Sequence, residues 1–457
     1  MTFSHTLGSI TGQIKVVISK QNLVGHFDEN QKKNFRIIAL LGVLYFILLA
    51  VPNARNAVDE HMLFVLSQDE NIQYPYVLKM VTPDGSIIET LSQFVAYQHY
   101  FYGYPFYFLS ALVLLPARIL FGDQMAAHTQ LNLFLLRQFV NVLPMTFSII
   151  ILVYLQTRFR SRWRSLVLFV FLAFIPVIFR SNINWWHPDS LAVLFLVLTL
   201  FFLDRDRLKF GNHFFLAAVC AGLTVGTKVF GFFFFTVIGG YLAIGLIKNI
   251  LDIRKAIRAA LIFILLMVAA IIVSNPMLLH KTSRQRIFET QAKQSYEVTH
   301  GWDKPEEADQ YRKGIGAWLP YLEKGYGPVY FLGFVLLSML VGCIWGEQTI
   351  FNRLALGWVL TYGAYLFAAV AIKNDHYWLP VMVPLFSGVL NLSDVRYKNE
   401  WLTPLKNPKT AELISRLIVA VVIVSVVLQL AVNITSDVAF YNNAMIAEFL
   451  LMHNINP

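Results

Sequence analysis

Charge is scarce in this chain. Only 14% of its 457 residues are Asp, Glu, Lys or Arg, against about 25% in a soluble domain, so a water-soluble globular enzyme is excluded. Cysteine is scarcer still. Cys220 and Cys343 both lie in apolar runs, which leaves no disulfide framework and no thiolate metal site. Cofactor signatures are missing too. No glycine loop for phosphates, no dinucleotide pattern and no nucleophile triad occurs, and the histidines show no local metal spacing. The sequence therefore calls for no resident cofactor and assigns no metal ligand. Neither an internal repeat of the transporter kind nor a low-complexity tract is present.

Apolar residues are abundant. The chain is 57% hydrophobic and 15% aromatic. Hydrophobic segments recur at 35–52, 100–121, 138–157, 165–181, 187–204, 213–227, 229–247, 256–275, 328–346, 354–372, 377–393 and 413–433. Runs of this length are spanning-helix signals. A bilayer leaves their backbones no partner but themselves, so they must be helical. The expected fold is all-α and polytopic. The first 34 residues are polar, so no cleavable signal peptide is expected.

The formal net charge is +10. In a soluble protein that would raise nucleic acid as a partner. Here the bases cluster in short loops, as the positive-inside rule predicts, and no nucleic-acid partner is expected. The arm with Lys15, Lys20, Lys32 and Lys33, the loop 158–164 (RFRSRWR), the loop 204–209 (DRDRLK), and the loops 248–258 and 394–409 all carry bases. Placing all five in the cytoplasm requires one early segment not to cross. Segment 100–121 is the candidate, interrupted by Gly103 and Pro105 and ending at Pro116 and Arg118. It is expected to be broken, re-entrant or interfacial, which leaves eleven crossings. The outer face then receives 53–137, 182–189, the turn at Lys228, 276–327 and 373–376. The expected domains are a cytoplasmic arm (1–34), a catalytic transmembrane domain (35–393), and a final part (394–457) with a cytoplasmic loop, the last span and an outer tail.

The outer segments hold the unusual polar residues. The acidic pair Asp59-Glu60 heads a 47-residue polar loop, 53–99, with six acids and two bases. Pieces of this loop, and 283–300 in the later one, read as amphipathic helices at the interface. The run from His99 through Tyr102 to Pro105 is either an aromatic belt or a platform for a sugar ring or polyprenyl chain. Arg137, a base on the outer side, is either a phosphate ligand or the stop of the preceding segment. His187-Pro188-Asp189 follows Trp185-Trp186 and opens a span; Asp189 is either a first-turn helix acid or a wall of the site. Lys228 sits between two apolar halves, where a lysine costs roughly 2.5–3.5 kcal/mol on insertion. An anionic ligand, most naturally a phosphate, explains it better than snorkelling does. His300 closes an outer helix. Lys373, His376 and Tyr377 form either an ordinary polar turn or a second contact to a lipid phosphate.

Taken in order, these motifs resemble the GT-C superfamily of membrane glycosyltransferases, in the branch of protein O-mannosyltransferases and aminoarabinose transferases. The match runs through Asp59-Glu60, the aromatic segment HYFYGYPFYFLSALVLLP, Phe121-Gly122 to Arg137, HPDSLAVLFLVL, Gly222 to Gly231 around Lys228, Asn275-Pro276 to His300-Gly301, and His376-Tyr377 to Pro384. The resemblance implies inverting transfer of a sugar from a polyprenyl-phosphate donor to an acceptor hydroxyl on the outer face. Asp59 would be the base, and Arg137 and Lys228 would meet the phosphate. Glu60, His99 and Asp189 would bind sugar or acceptor hydroxyls, with Tyr102, His187, His300, Lys373, His376 and Tyr377 as further binding residues. The expected partners are membrane lipid, the polyprenyl-linked sugar, and a glycan, lipid or protein acceptor. The expected location is a bacterial inner membrane. The rival reading is a transporter or flippase of an anionic or lipid-linked solute, which would place ionisable residues mid-bilayer.

Sidedness is checked by impermeant labelling of single cysteines in intact cells. Cysteines at Arg160 and Arg205 should stay unlabelled and one at Asn374 should react. Labelling of the first two would overturn the topology.

Overall fold

The computed structural model describes residues 27–56, 62–63, 68–302, 311–393 and 408–452. Among the described residues there is no strand. Helix α1 (Glu29–Arg55) opens on a capping box between Asp28 and Gln31, which satisfies two otherwise orphaned N–H groups. Helices α2 (Gln68–Val81) and α3 (Ile87–Val95) follow in the first long loop, and α4 (Tyr104–Phe121) covers the aromatic segment. Helix α5 (Thr129–Thr157) returns through the bundle. Pro176 interrupts the next expected span, giving α6 (Arg162–Ala173) and a short α7 (Pro176–Arg180), because proline has no N–H to continue the ladder.

Helices α8 (Asp189–Asp206) and α9 (Asn212–Thr227) form the centre of the bundle. Around them lie α10 (Val229–Ile247), α11 (Ile253–Ser274), α12 (Lys281–His300), α13 (Ile315–Tyr326), α14 (Val329–Trp345), α15 (Thr349–Ala369), α16 (Leu379–Ser387) and α17 (Pro408–Met452). The outer helices expose rows of large apolar side chains: Leu40, Leu44 and Ile47 on α1, Leu261 and Leu265 on α11, Val421, Val424 and Leu428 on α17. Such a surface is suited to lipid and would aggregate in water. The protein is an integral membrane protein of helical type.

Among the described residues, six helical stretches, α4 among them, are long and apolar enough to cross a bilayer, or seven if α13 and α14, bent by 86° at their junction, make one span. The eleven expected crossings leave α4 out and require α6–α7, α8, α9, α15 and α16 as well. These are shorter, interrupted or more polar, and they are surrounded by other helices.

The contacts sort the loops into two ends. At one end, the Gln31 and Asn34 side chains donate to the carbonyls of Arg158 (2.8 Å) and Phe159 (2.7 Å). There Arg158 also pairs with Asp204 at 2.7 Å, and the Leu208 N–H donates to the Tyr241 hydroxyl. The first helix start and the loops RFRSRWR and DRDRLK therefore gather together. At the other end lie 53–56, 182–189, 227–228 and 275. The start of α4 and the start of α5 are both tied to this second end. The Gly103 N–H donates to the Thr227 carbonyl at 3.1 Å, and beyond the helix the Gln130 side chain donates to the Arg55 carbonyl at 3.0 Å. The expected break does not occur: α4 runs through Pro116 without interruption. The helix is itself long and apolar enough to cross a bilayer.

Two boundaries differ from expectation. Arg137 was expected in a loop before the third segment, but it lies inside α5, at the start of a π turn, Arg137–Val142. Pro144 supplies the reason: it has no N–H for the Val140 carbonyl, so the turn widens. The last helix has 45 residues rather than the 21 of the apolar run. At 1.5 Å per residue its length is roughly 67 Å, about twice the hydrocarbon thickness. Its far half leans on the second end, where the Asn56 side chain donates to the Ala444 carbonyl at 2.8 Å.

Arg137 locks the first long loop to the bundle. It is fully buried, and its Nε and Nη2 fork onto the two carboxylate oxygens of Glu70 on α2, the first at 2.8 Å. Its Nη1 reaches the carbonyls of Asn53 (3.4 Å) and Asn56 (3.3 Å) at the end of α1. Removing one partner strands a buried charge, which costs about 3–5 kcal/mol. Arg137→Ala should lower the melting temperature of the detergent-purified protein sharply. Arg137→Lys should not restore it, since lysine lacks the fork. The double change Arg137→Met with Glu70→Leu should be milder than either single one.

Candidate active site

A close backbone approach builds the site. A Cβ placed on Gly103 would fall 1.5 Å from the Gly226 carbonyl oxygen, so only glycine lets this segment lie on the end of α9. Asn275, just past α11, clamps the junction: its Oδ1 accepts from the Tyr104 N–H (2.8 Å) and its Nδ2 donates to the Gly226 carbonyl (3.1 Å). Tyr102 and Lys228 are neighbours as a result, with the Lys228 ammonium 5.7 Å from the Tyr102 ring centre.

Lys228 leaves the helical path where α9 ends, on extended backbone. Its Nζ hydrogen-bonds to Oδ1 of Asp189, the first residue of α8. Asp189 is buried, while Lys228 keeps 16% of its side chain exposed. An ammonium has three donors, so Lys228 can hold Asp189 and still offer hydrogen bonds outward. The other carboxylate oxygen of Asp189 lies 3.0 Å from Nδ1 of His187, whose Nε2 meets the Tyr102 hydroxyl at 2.8 Å. Trp185 stacks on His187 at 4.2 Å between ring centres, and His376 packs edge-on to His187 at 5.4 Å. Tyr377 sits edge-on to His376 at 4.7 Å.

His99 joins this wall from the side. It is buried, stacked between Tyr76 (4.9 Å) and Phe101 (5.1 Å), hydrogen-bonded to the Tyr107 hydroxyl, and 6.4 Å from the Tyr102 ring. Burial pushes the His99 imidazole down to about 4 and the His376 imidazole down to about 3, and it lowers His187 as well. All three are uncharged at neutral pH. Lys228 is thus the cation at this wall.

The structure brings together Tyr102, His187, Asp189, Lys228, His376 and Tyr377, with His99 alongside. It separates the others. Arg137 is spent on Glu70. Lys373 donates to the carbonyls of Arg312 and Ala371, each at 2.6 Å, and lies 4.8 Å from the Trp318 ring. His300 is exposed at the end of α12, stacked on Tyr296 at 4.2 Å. Asp59 and Glu60 lie outside the described residues. Asp69, on the first turn of α2, was only one of six loop acids in the sequence, yet its charge acts on His99, Tyr102, His187 and Tyr377. Asn275 and Trp185 also gain importance. Asn275 was visible only as part of an Asn-Pro pair, and Trp185 only as an interfacial aromatic.

His187, Asp189 and His376 could also hold a divalent cation. One ligand atom from each falls within 4.8 Å of the others. His187 Nδ1 and Asp189 Oδ2 are buried and face each other, with no other hydrogen-bond partner. Their 3.0 Å separation equals that of two adjacent ligands at about 2.1 Å around an octahedral ion. The set joins two distant segments, so sequence spacing could not reveal it. The Lys228 ammonium on the other oxygen of Asp189 opposes a double positive charge there.

No protein-family model matches the chain, and no curated protein matches it. Among solved structures it is similar to the apo oligosaccharyltransferase of Archaeoglobus fulgidus, with a TM-score of 0.49 and 13% identity over 89% of this chain and 56% of that one. It is also similar to ArnT from Cupriavidus metallidurans, solved with undecaprenyl phosphate bound, with a TM-score of 0.43 and 12% identity over 90% of this chain and 75% of that one. The chain thus spans little more than half the length of the first of these.

A histidine held neutral by burial keeps its folded pKa below the unfolded value of about 6.5. The unfolded chain then takes up protons first as pH falls, so stability is lost from about 6.5 down to about 4 through His99 and about 3 through His376. Melting curves in detergent should be level above pH 7 and decline through that window. The decline should be shallower in His99→Gln and His376→Asn; equal slopes in all three proteins would contradict the buried-neutral assignment.

Proposed function

We propose that this chain is an inverting glycosyltransferase, moving a sugar from a polyprenyl-phosphate donor to an acceptor hydroxyl at the outer face of the membrane. The observation that carries the reading is Lys228: a lysine set at the end of an apolar helix, held by buried Asp189 among aromatic rings and neutral histidines. A positioned cation in a site of low polarity stabilises charge that develops on a leaving group. Aromatic rings, neutral imidazoles and a carboxylate are the groups that bind sugar hydroxyls and ring faces.

The reaction is a single displacement. Asp59 takes the proton of the acceptor hydroxyl. The acceptor oxygen forms the new bond to the anomeric carbon while the bond from that carbon to the phosphate oxygen breaks. The electron pair leaves with the phosphate, next to Lys228. Attack opposite the leaving group inverts the anomeric centre, and one carboxylate suffices. The GT-C resemblance of the sequence supports the same scheme, and the arrangement of polar groups at one end of the bundle favours it over a carrier. The protein O-mannosyltransferase and aminoarabinose transferase branch, and a bacterial inner membrane, belong to this proposal.

Transfer from a radiolabelled polyprenyl-phosphate sugar in reconstituted vesicles is the test. Asp59→Asn should abolish product with unchanged protein level, a loss of at least a hundredfold, since general-base catalysis is worth about 10²–10⁴. Lys228→Gln should weaken polyprenyl-phosphate binding about tenfold or more. If Asp59→Asn works normally and Asp69→Asn does not, the base is Asp69. Solute uptake without any glycosylated product would replace the enzyme reading with the transporter.

A further inference from the structure

The wall of the site hangs on a turn with no regular structure of its own. Residues 181–188 run between α7 and α8. Asn184 takes left-handed backbone there, at φ 53°, a conformation that asparagine tolerates better than most residues. The turn delivers Trp185 and His187. A small shift along it would part His187 from both Asp189 and Tyr102.

Two asparagines from other helices grip this turn. Asn53, in the last turn of α1, is fully buried. Its Nδ2 donates to the Asn182 carbonyl at 2.9 Å, and its Oδ1 accepts from the Asn184 N–H at 2.7 Å. One primary amide thus supplies both the donor and the acceptor that this stretch of backbone needs. Asn141, in the π turn of α5, donates its Nδ2 to the Ser181 carbonyl at 2.5 Å and to the Asn182 Oδ1 at 3.2 Å. Further along, the Trp186 Nε1 donates to the Ser110 hydroxyl at 3.0 Å, and its ring stacks on Phe106. The backbone carbonyl of the same Asn53 accepts from Arg137, so the anchor of the first long loop and the grip on the turn meet in one residue.

Helix α1 has no use of its own for this side chain. Asparagine is a poorer helix former than alanine or leucine, and a buried amide is costly unless it is hydrogen-bonded. Both side-chain bonds of Asn53 go to the turn. We propose that Asn53 is a positioning residue for the transfer reaction: it fixes the turn that carries Trp185 and His187, and acts through those two rings rather than on substrate. Its effect on turnover rests on the glycosyltransferase reading; its hold on the turn does not.

The test follows the full chain in lipid nanodiscs by hydrogen–deuterium exchange of the peptide 181–187. Polyprenyl-phosphate binding and transfer from a radiolabelled polyprenyl-phosphate sugar are measured on the same samples. Asn53→Ala removes both bonds. Asn53→Asp keeps the acceptor for the Asn184 N–H and loses the donor, and it serves if the alanine variant does not accumulate. Exchange within 181–187 should rise at least tenfold in Asn53→Ala and less in Asn53→Asp, with α9 unchanged. Transfer should fall at least tenfold in kcat in Asn53→Ala, while polyprenyl-phosphate binding changes less than twofold. In a His187→Ala background, Asn53→Ala should cost less than twofold more, since coupled residues are not additive. Unchanged exchange at 181–187, exchange raised equally throughout the bundle, or a tenfold loss that persists in full beside His187→Ala would each overturn the assignment. A wild-type chain that yields no glycosylated product would overturn the enzyme reading, and the exchange result would still uphold or overturn the hold of Asn53 on the turn.

Discussion

A lysine at the end of an apolar helix is the constraint on which the rest of this site depends. Lys228 cannot sit there alone, and Asp189 is the group that answers it. Asp189 is in turn buried and would be costly without that ammonium. Each charge makes the other tolerable, and together they fix where α8 and α9 must meet. The aromatic rings around them then have one arrangement available, with Tyr102 and His187 hydrogen-bonded over the pair.

Backbone contact, rather than side-chain recognition, brings the third element in. Gly103 lies against Gly226 with no room for a Cβ, and Asn275 bridges the two segments. The first long loop is anchored separately, by the Arg137 fork on Glu70. The two cations that look equivalent in sequence therefore have different work. Arg137 is enclosed and structural. Lys228 is half-buried, with hydrogen-bonding capacity left over. Histidines kept neutral by burial add polarity without charge, so the wall can be lined with imidazoles and still leave Lys228 as its cation.

The helical membrane fold was legible because its cause is local. Long apolar runs in a chain with few charges can only be helices, and most expected segments coincide with observed ones, such as 213–227 with α9 and 229–247 with α10. The clustering of RFRSRWR and DRDRLK with the start of α1 was also readable, since short basic loops collect on one side. What composition could not give was continuity. Pro116 and Pro105 look like breaks, yet α4 is unbroken, with Pro105 in its first turn, where a missing N–H is harmless. Pro176 does break its segment, and Pro144 only widens a turn; the difference lies in the neighbours that hold each helix.

By itself, then, the sequence determined the solvent, the secondary structure and the end of the bundle where polar residues collect, because these follow from hydrophobicity and charge read along the chain. It also marked His187, Asp189, Lys228 and His376 as unusual. Only the tertiary structure decided which of the marked residues meet. It joined His376 to His187, and it withdrew Arg137 and Lys373 onto partners of their own. Those outcomes depend on distances between segments far apart in the chain, and on which of the marked cations keeps a free donor once Arg137 and Lys373 have met partners of their own.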